Sequence, residues 1–428
     1  ALEAADEVLR LMEEEYSYSS VGVDSNAVDP SETTEKGRKR KFETNDELVK
    51  LGVCDPYRGM LQNLIAVGPK VLPDYQQRVD DLMERMMGRK AYEGLLEDND
   101  LLIDTSKMDH LILHDLIHVF TITNEKSQIA KARIILKKME ATRDSTVDSA
   151  LMWPDNFPVS NSYKSIIIGI LHSTIDSDEG KSVNGVASLD DALYATELLD
   201  TILRDKPSSR NSYSCYRCIR LWGATNSKEA GRMGEEILGR LETSQVINGD
   251  ELSMRDVVMR SKQSSLENWS SSAAAGEPGA ARSAASLLDR MKERLDNEID
   301  STDERSKREK GFFYIAVIRA CAETVLDEDK ENALEIAFDT YNTMVEESLT
   351  LTPYVFVQLM KCCQLVAPSS HDQALKLSKE VFQAACSNGL VNRHVLFLLK
   401  QINYHLFESY KKKPEHSTHV KKMMPLEE

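Results

Sequence analysis

His110, His114 and His118 stand four residues apart in "MDHLILHDLIHVF" (108–120), and they are the side chains whose type and spacing point most directly to chemistry. On a helix each step of four advances about 40°, so the three rings share a sector of about 80° on one face, an arrangement that metal sites use. The zincin form of such a site needs Glu directly after the first His, because that carboxylate serves as the general base. Leu111 occupies that place, and Asp109 and Asp115 fall on other faces, so a metal is not expected. Near pH 6.5 the strip would instead gain charge and tighten on an anionic ligand.

A second candidate, "CYRC" (215–218), puts two thiols at i and i+3 on a helix. Zinc would need a second pair at similar spacing, and the adjacent Cys362 and Cys363 point about 100° apart. Cys218 lies well inside its helix, away from the N-terminal field that activates thiolates, so these cysteines are expected to be small core residues. The chain has no phosphate-binding loop, dinucleotide fingerprint, nucleophile elbow or Asp-rich metal cluster. The expectation is a non-enzymatic protein with no metal, no cofactor and no small-molecule substrate.

The elements that carry these residues are helical. The 428 residues include no apolar run near 18, so no transmembrane span is expected. Gly at 19, Pro at 12 and 6% aromatic residues, beside 70 Asp+Glu and 53 Lys+Arg, favour helix over closely spaced strands and turns. The fold class expected is all-α. A formal charge of −17 counts against nucleic-acid binding unless basic residues gather on one surface. Seven cysteines without a framework of spacings suggest free thiols in a reducing compartment.

Self-similarity organises the whole chain. A small residue, an apolar pair and then Met or a similar residue recur in "AADEVLRLM" (4–12), "AKARIILKKM" (130–139), "AARSAASLLDRM" (281–291), "ALEIAFDTYNTM" (333–344) and related stretches, which end at 12, 86, 139, 202, 241, 291, 344 and 385. All but the first follow a helix with larger apolar residues, for example "LILHDLIHVF", "SYSCYRCIRLWGA" and "FFYIAVIRACAET". Each pair is a hairpin that cannot bury its apolar faces alone, so neighbours must stack.

The domain organisation follows from this repeat. Residues 1–16 are expected to form a truncated first repeat, its second helix only, and 17–50 a polar disordered insertion in which "GRKRK" (37–41), a candidate targeting or nucleic-acid patch, is better read as a solvated linker amid acidic residues. Residues 51–410 hold about seven hairpins with surface-loop insertions near 174–188, 243–253 and 298–310, and 411–428 is a basic flexible tail. The opening amphipathic helix lacks an initiator Met, an N-cap and a signal-peptide core, so the sequence is expected to be a fragment with any targeting segment upstream.

The pattern resembles the pentatricopeptide-repeat (PPR) family, in particular its divergent, insertion-rich algal type. The closest stretches are 265–293, 312–363 and 212–242, and 373–402 resembles a C-terminal capping repeat. The Trp, Gly-Tyr and Pro pattern of tetratricopeptide repeats does not recur, and "LTPYVF" (351–356) suits PPR better. The resemblance implies a right-handed α-solenoid of tandem helix-turn-helix (PPR/TPR-like) repeats in a mitochondrion or plastid. Its first helices would line a concave groove that binds single-stranded RNA for processing, stabilisation or translation.

Carried over repeat by repeat, the family's base-reading position, the residue after the first helix's aromatic, falls on Arg58, His114, Lys164, Ser214, Gln263, Ile315 and Val357. Arg217 is a further expected RNA contact, and His110 and His118 are expected to line the groove. Only Ser214 has the family's usual chemistry. Ile315 and Val357 cannot hydrogen-bond a base edge, so loose selectivity is expected. The alternative is a protein–protein scaffold, for example a ribosome-associated or assembly factor bound to ribosomal or RNA-processing proteins, using the same concave surface.

Overall fold

The computed structural model describes residues 56–87, 110–145, 159–174, 187–205, 211–243, 252–298, 304–368 and 370–412. Among them the chain forms 16 α-helices and no strand, in agreement with the all-α expectation. The segments expected at 1–16 and 17–50, and nearly all of the basic tail, lie outside the described residues. The chain divides into two compact units, one up to Ser173 and one from Thr174 onward.

The first unit holds α1 (Pro56–Val67), α2 (Tyr75–Met87), α3 (His110–Ile122), α4 (Lys126–Ser145) and α5 (Val159–Thr174). Helices α1 and α2 pair, α3 and α4 pair, and α1 packs directly on α3. The apolar spacing of α3 explains its position: Leu113, Leu116, Ile117 and Phe120 are buried, whereas Leu111 is half-exposed. Tyr75 joins α2 to α3 by donating from its hydroxyl to the Val119 carbonyl at 3.4 Å.

The second unit holds α6 (Leu189–Asp205), α7 (Ser212–Ala224), α8 (Ala230–Thr243), α9 (Leu252–Ala274), α10 (Ala280–Glu298), α11 (Glu304–Ala322), α12 (Asp327–Glu346), α13 (Pro353–Val366), α14 (His371–Ser387), α15 (Arg393–Ile402) and α16 (Tyr404–Lys411). From α7 on, each odd-numbered helix pairs with the even-numbered helix after it. The odd-numbered first helices also pack on one another in sequence, and each touches the second helix of the preceding pair. A first helix flanked in this way keeps one face uncovered.

Helix ends repeat as faithfully as helix faces. After α9, α12 and α14 the backbone turns through Gly276 (φ 80°), Ser348 (φ 52°) and Gly389 (φ 66°). In each case the next N–H reaches back five residues: Glu277 to Ser272, Leu349 to Met344, and Leu390 to Ala385, each at 2.9 Å. This is the Schellman termination, which satisfies carbonyls that a helix end leaves open and favours Gly because φ is positive. Asn124 (φ 61°) and Asn226 (φ 48°) occupy the same left-handed position after α3 and α7.

Two expected loops are partly helical. Residues 304–310, placed by polarity in an insertion at 298–310, form the first two turns of α11. Three contacts order them: Lys310 pairs with Glu347 at 2.7 Å, Arg305 with Glu309 at 2.9 Å, and Thr350 donates to Glu304 at 2.7 Å. Likewise α9 begins at Leu252, inside the insertion expected at 243–253, because Val257, Val258 and Ser261 already have buried positions.

Helix α9 departs further from an ordinary apolar core. Its buried side chains include Ser261, Lys262, Ser265, Asn268, Ser270 and Ser272. Two of them and the half-exposed Ser271 bind neighbouring backbone: Asn268 donates to the Ile219 carbonyl at 2.8 Å, Ser271 donates to the Gly223 carbonyl at 2.9 Å, and Ser272 accepts from the Gly231 N–H at 2.8 Å. Such bonds offset the cost of burying polar groups and fix the register of α9 against α7 and α8.

Candidate functional site

The histidine strip lies on α3, but the structure spends much of its chemistry internally. His110 is the first residue of α3, and its side chain lies outside the described residues. His114 and His118 are half-exposed one turn apart. Asp115 is buried between them in sequence and pairs with Arg58 of α1 at 3.2 Å. The Nδ1 of His114 lies 3.0 Å from the hydroxyl of Ser162 on α5, a residue with no exposed surface. Arg58 and His114 therefore tie α1, α3 and α5 together. No group of three or more His, Cys, Asp or Glu side chains among the described residues could hold a metal ion.

Burial lowers the pKa of both imidazoles below the usual 6.5. Nearby Asp115 opposes the shift in each ring, while His118 and Arg58 add to it at His114. His114 and His118 consequently gain charge at a lower pH than the free imidazole would. Between the folded and unfolded pKa values the unfolded chain binds more protons, so stability falls as pH drops below 6.5 through this window. Urea midpoints measured at pH 7.5 and 5.5 should show an acid loss that His118→Gln reduces; equal losses in both proteins would contradict this titration.

The other expected contacts are dispersed. Lys164 is half-exposed on α5, and Arg217 is half-exposed on α7 with its guanidinium 6.0 Å from the Tyr213 ring centroid. Gln263 on α9 donates to Glu267 at 2.8 Å. Ser214, the one residue with the family's usual chemistry, is 1% exposed and faces the interior. Turn geometry accounts for this. Arg58 and His114 each precede the left-handed residue that ends their helix, Gly68 and Asn124, by ten positions, and ten positions before Asn226 is Tyr216. The half-exposed Tyr216 thus stands at the level assigned from sequence to Ser214. Ile315 is buried at 8% exposure and Val357 is half-exposed.

The cysteines behave as core. Cys215, Cys218, Cys362 and Cys363 are buried, and burial raises the Cys215 thiol pKa to about 12 and that of Cys218 well above its usual value. A thiol held protonated in this way is a poor nucleophile.

A feature absent from the sequence reading lies in the division of charge between the two sets of helices. In the second unit the first helices α7, α9, α11, α13 and α15 carry thirteen Lys/Arg against four Asp/Glu, a net of +9. The second helices α6, α8, α10, α12, α14 and α16 carry eleven Lys/Arg against twenty-two Asp/Glu, a net of −11. Setting aside the buried Lys262 and Lys310 still leaves +7 on the first helices. The first unit shows no such division, for its second helices α2 and α4 carry eight Lys/Arg against five Asp/Glu.

The open faces of these first helices follow helical spacing. On α7 the face consists of Tyr213, Tyr216, Arg217 and Arg220; on α11 it includes Arg308, Phe312 and Arg319; on α13 it is Tyr354, Val357 and Lys361. Lys361 pairs with Glu323, just beyond α11, at 3.0 Å, and Gln364 donates to Gln401 of α15 at 3.2 Å. These contacts join three faces edge to edge. The sequence signal was present in the charge of each helix, but summing over the whole chain concealed it. Comparison with known proteins found no matching family model, no matching curated protein and no matching solved structure.

Proposed function

We propose that this chain is a non-catalytic repeat protein, a right-handed α-solenoid of PPR-like hairpins, that binds single-stranded RNA along the open face of its first helices. The observation that carries this reading is the +9 charge of the first helices in a chain whose formal total is −17. Net charge opposes phosphate binding only when it is spread evenly, and a local cationic face attracts a polyanion within a screening length of its surface. The resemblance to PPR proteins adds the class of ligand and an organellar setting, a mitochondrion or plastid, where the chain would serve RNA processing, stabilisation or translation. No helix among the described residues is long and apolar enough to cross a membrane.

Fluorescence anisotropy with a labelled single-stranded RNA tests the proposal. Affinity should fall steeply as salt rises, and Arg308→Glu/Arg319→Glu, on the exposed side of α11, should weaken binding by about tenfold or more and lower the salt slope by about two. Arg232→Glu on α8, where the side chain is 65% exposed and pairs with Glu236, should leave binding unchanged. Absence of binding at low salt would overturn the RNA reading. Capture of a ribosomal or RNA-processing protein by that same face in its place, lost in Arg308→Glu/Arg319→Glu, would support the scaffold alternative.

A further inference from the structure

We propose that the second unit holds a single strand by stacking its bases on aromatic side chains beside arginines, instead of reading base edges by hydrogen bonding. This rests on the RNA-binding reading above and names how that face would engage its ligand.

Edge reading needs free donors and acceptors pointing outward, and the second unit is poor in them at the positions carried over from the PPR pattern. Ser214 is 1% exposed, the Gln263 amide is engaged by Glu267 at 2.8 Å, Ile315 is buried, and Val357 has no polar group. What the open faces offer in their place is aromatic. Tyr213 and Tyr354 are each 43% exposed, Phe397 is 49% exposed, and Tyr216 and Phe312 are half-exposed.

Three of these rings have an arginine against them: Arg217 at 6.0 Å from Tyr213, Arg220 at 5.9 Å from Tyr216, and Arg308 at 5.9 Å from Phe312. Four of the five first helices carry at least one such ring at their surface, while among the second helices Tyr404 of α16 is 54% exposed with no arginine against it among the described residues. The exception among the first helices is α9, whose only aromatic residue, Trp269, is 7% exposed and packs on Gly231. A ring beside a guanidinium supplies both components that single-strand binding uses, a flat surface for any base and a positive charge for the adjacent phosphate. Every base has such a surface, so the expected selectivity is for single strands over duplexes and is weak among bases.

The test measures affinity of the full chain for oligouridine, oligoadenine, an abasic strand of the same length and a duplex. The two base-bearing single strands should bind within about tenfold of each other, and the abasic strand and the duplex about tenfold or more weaker. Tyr213→Ala/Tyr216→Ala should weaken oligouridine binding by about tenfold with an unchanged salt slope, and Tyr213→Phe/Tyr216→Phe should restore it. Because Tyr216 is half-buried, Tyr354→Ala/Phe397→Ala on exposed sites serves as a second variant with the same expected direction. If the abasic strand binds as well as oligouridine and both alanine pairs match wild type, stacking is overturned while RNA binding stands. If the wild type binds no strand even at low salt, both proposals fail.

Discussion

Gly231→Ala is expected to lower the stability of the second unit by about 3 kcal/mol, although alanine is the better helix former by about 1 kcal/mol. A Cβ at Gly231 would lie 2.3 Å from two ring carbons of Trp269, well inside van der Waals contact. The ring cannot swing away easily, since Trp269 is 7% exposed and sits on α9, which is itself held by Asn268 and Ser271 to the backbone of α7 and by Ser272 to the Gly231 N–H at the start of α8. Gly223 and Gly234 approach the same helix, with added Cβ positions 2.2 Å and 2.6 Å from the Asn268 side chain. Gly239, also on α8, has nothing within 4 Å of its added Cβ, so Gly239→Ala should stabilise by about 0.5–1 kcal/mol. Chemical denaturation of the two variants measures the contrast. Equal stability of Gly231→Ala and Gly239→Ala would show that α8 and α9 do not approach as closely as described.

Glu347→Ala should cost about 2–3 kcal/mol, because one carboxylate serves two groups on α11. Lys310 pairs with it at 2.7 Å, and the Tyr314 hydroxyl donates to its two oxygens at 2.8 and 2.9 Å. The Lys310 side chain is 8% exposed and that of Glu347 is 29% exposed, so loss of the acceptor leaves a largely desolvated ammonium with weaker compensation. Partial solvent access at Glu347 keeps the effect below that of a fully buried pair. Lys310→Met should be tolerated better than Glu347→Ala, since it removes the charge that needs compensation, and the double variant should recover part of the loss. Thermal or urea unfolding of the three variants decides this; an additive double variant would mean that the pair contributes no coupling.

Composition and apolar periodicity determined that the described residues are helical, because a helix repeats every 3.6 residues whatever it packs against. The same logic made Cys215, Cys218, Cys362 and Cys363 core residues, and all four are. Polarity suggested a loop through 304–310, yet those residues are helical because Glu347 and Thr350 come from elsewhere in the chain to meet them. Ser214 passed as a groove residue since its neighbours fit a motif, whereas its burial depends on where α7 ends relative to Asn226. On α8, Gly231 and Gly234 leave room for Trp269 and Asn268 of α9, a close approach that nothing in the local sequence of α8 specifies.

Charge shows the division most clearly. Its total, −17, is a property of composition, and the identity of every helix that carries it can be counted from sequence. Packing alone arranges the first helices side by side, so that α7, α9, α11, α13 and α15 contribute to one set of open faces while the acidic helices lie between them in sequence. A sum is additive along the chain, but an electrostatic surface depends on which groups are neighbours in space, and only the tertiary structure decides that.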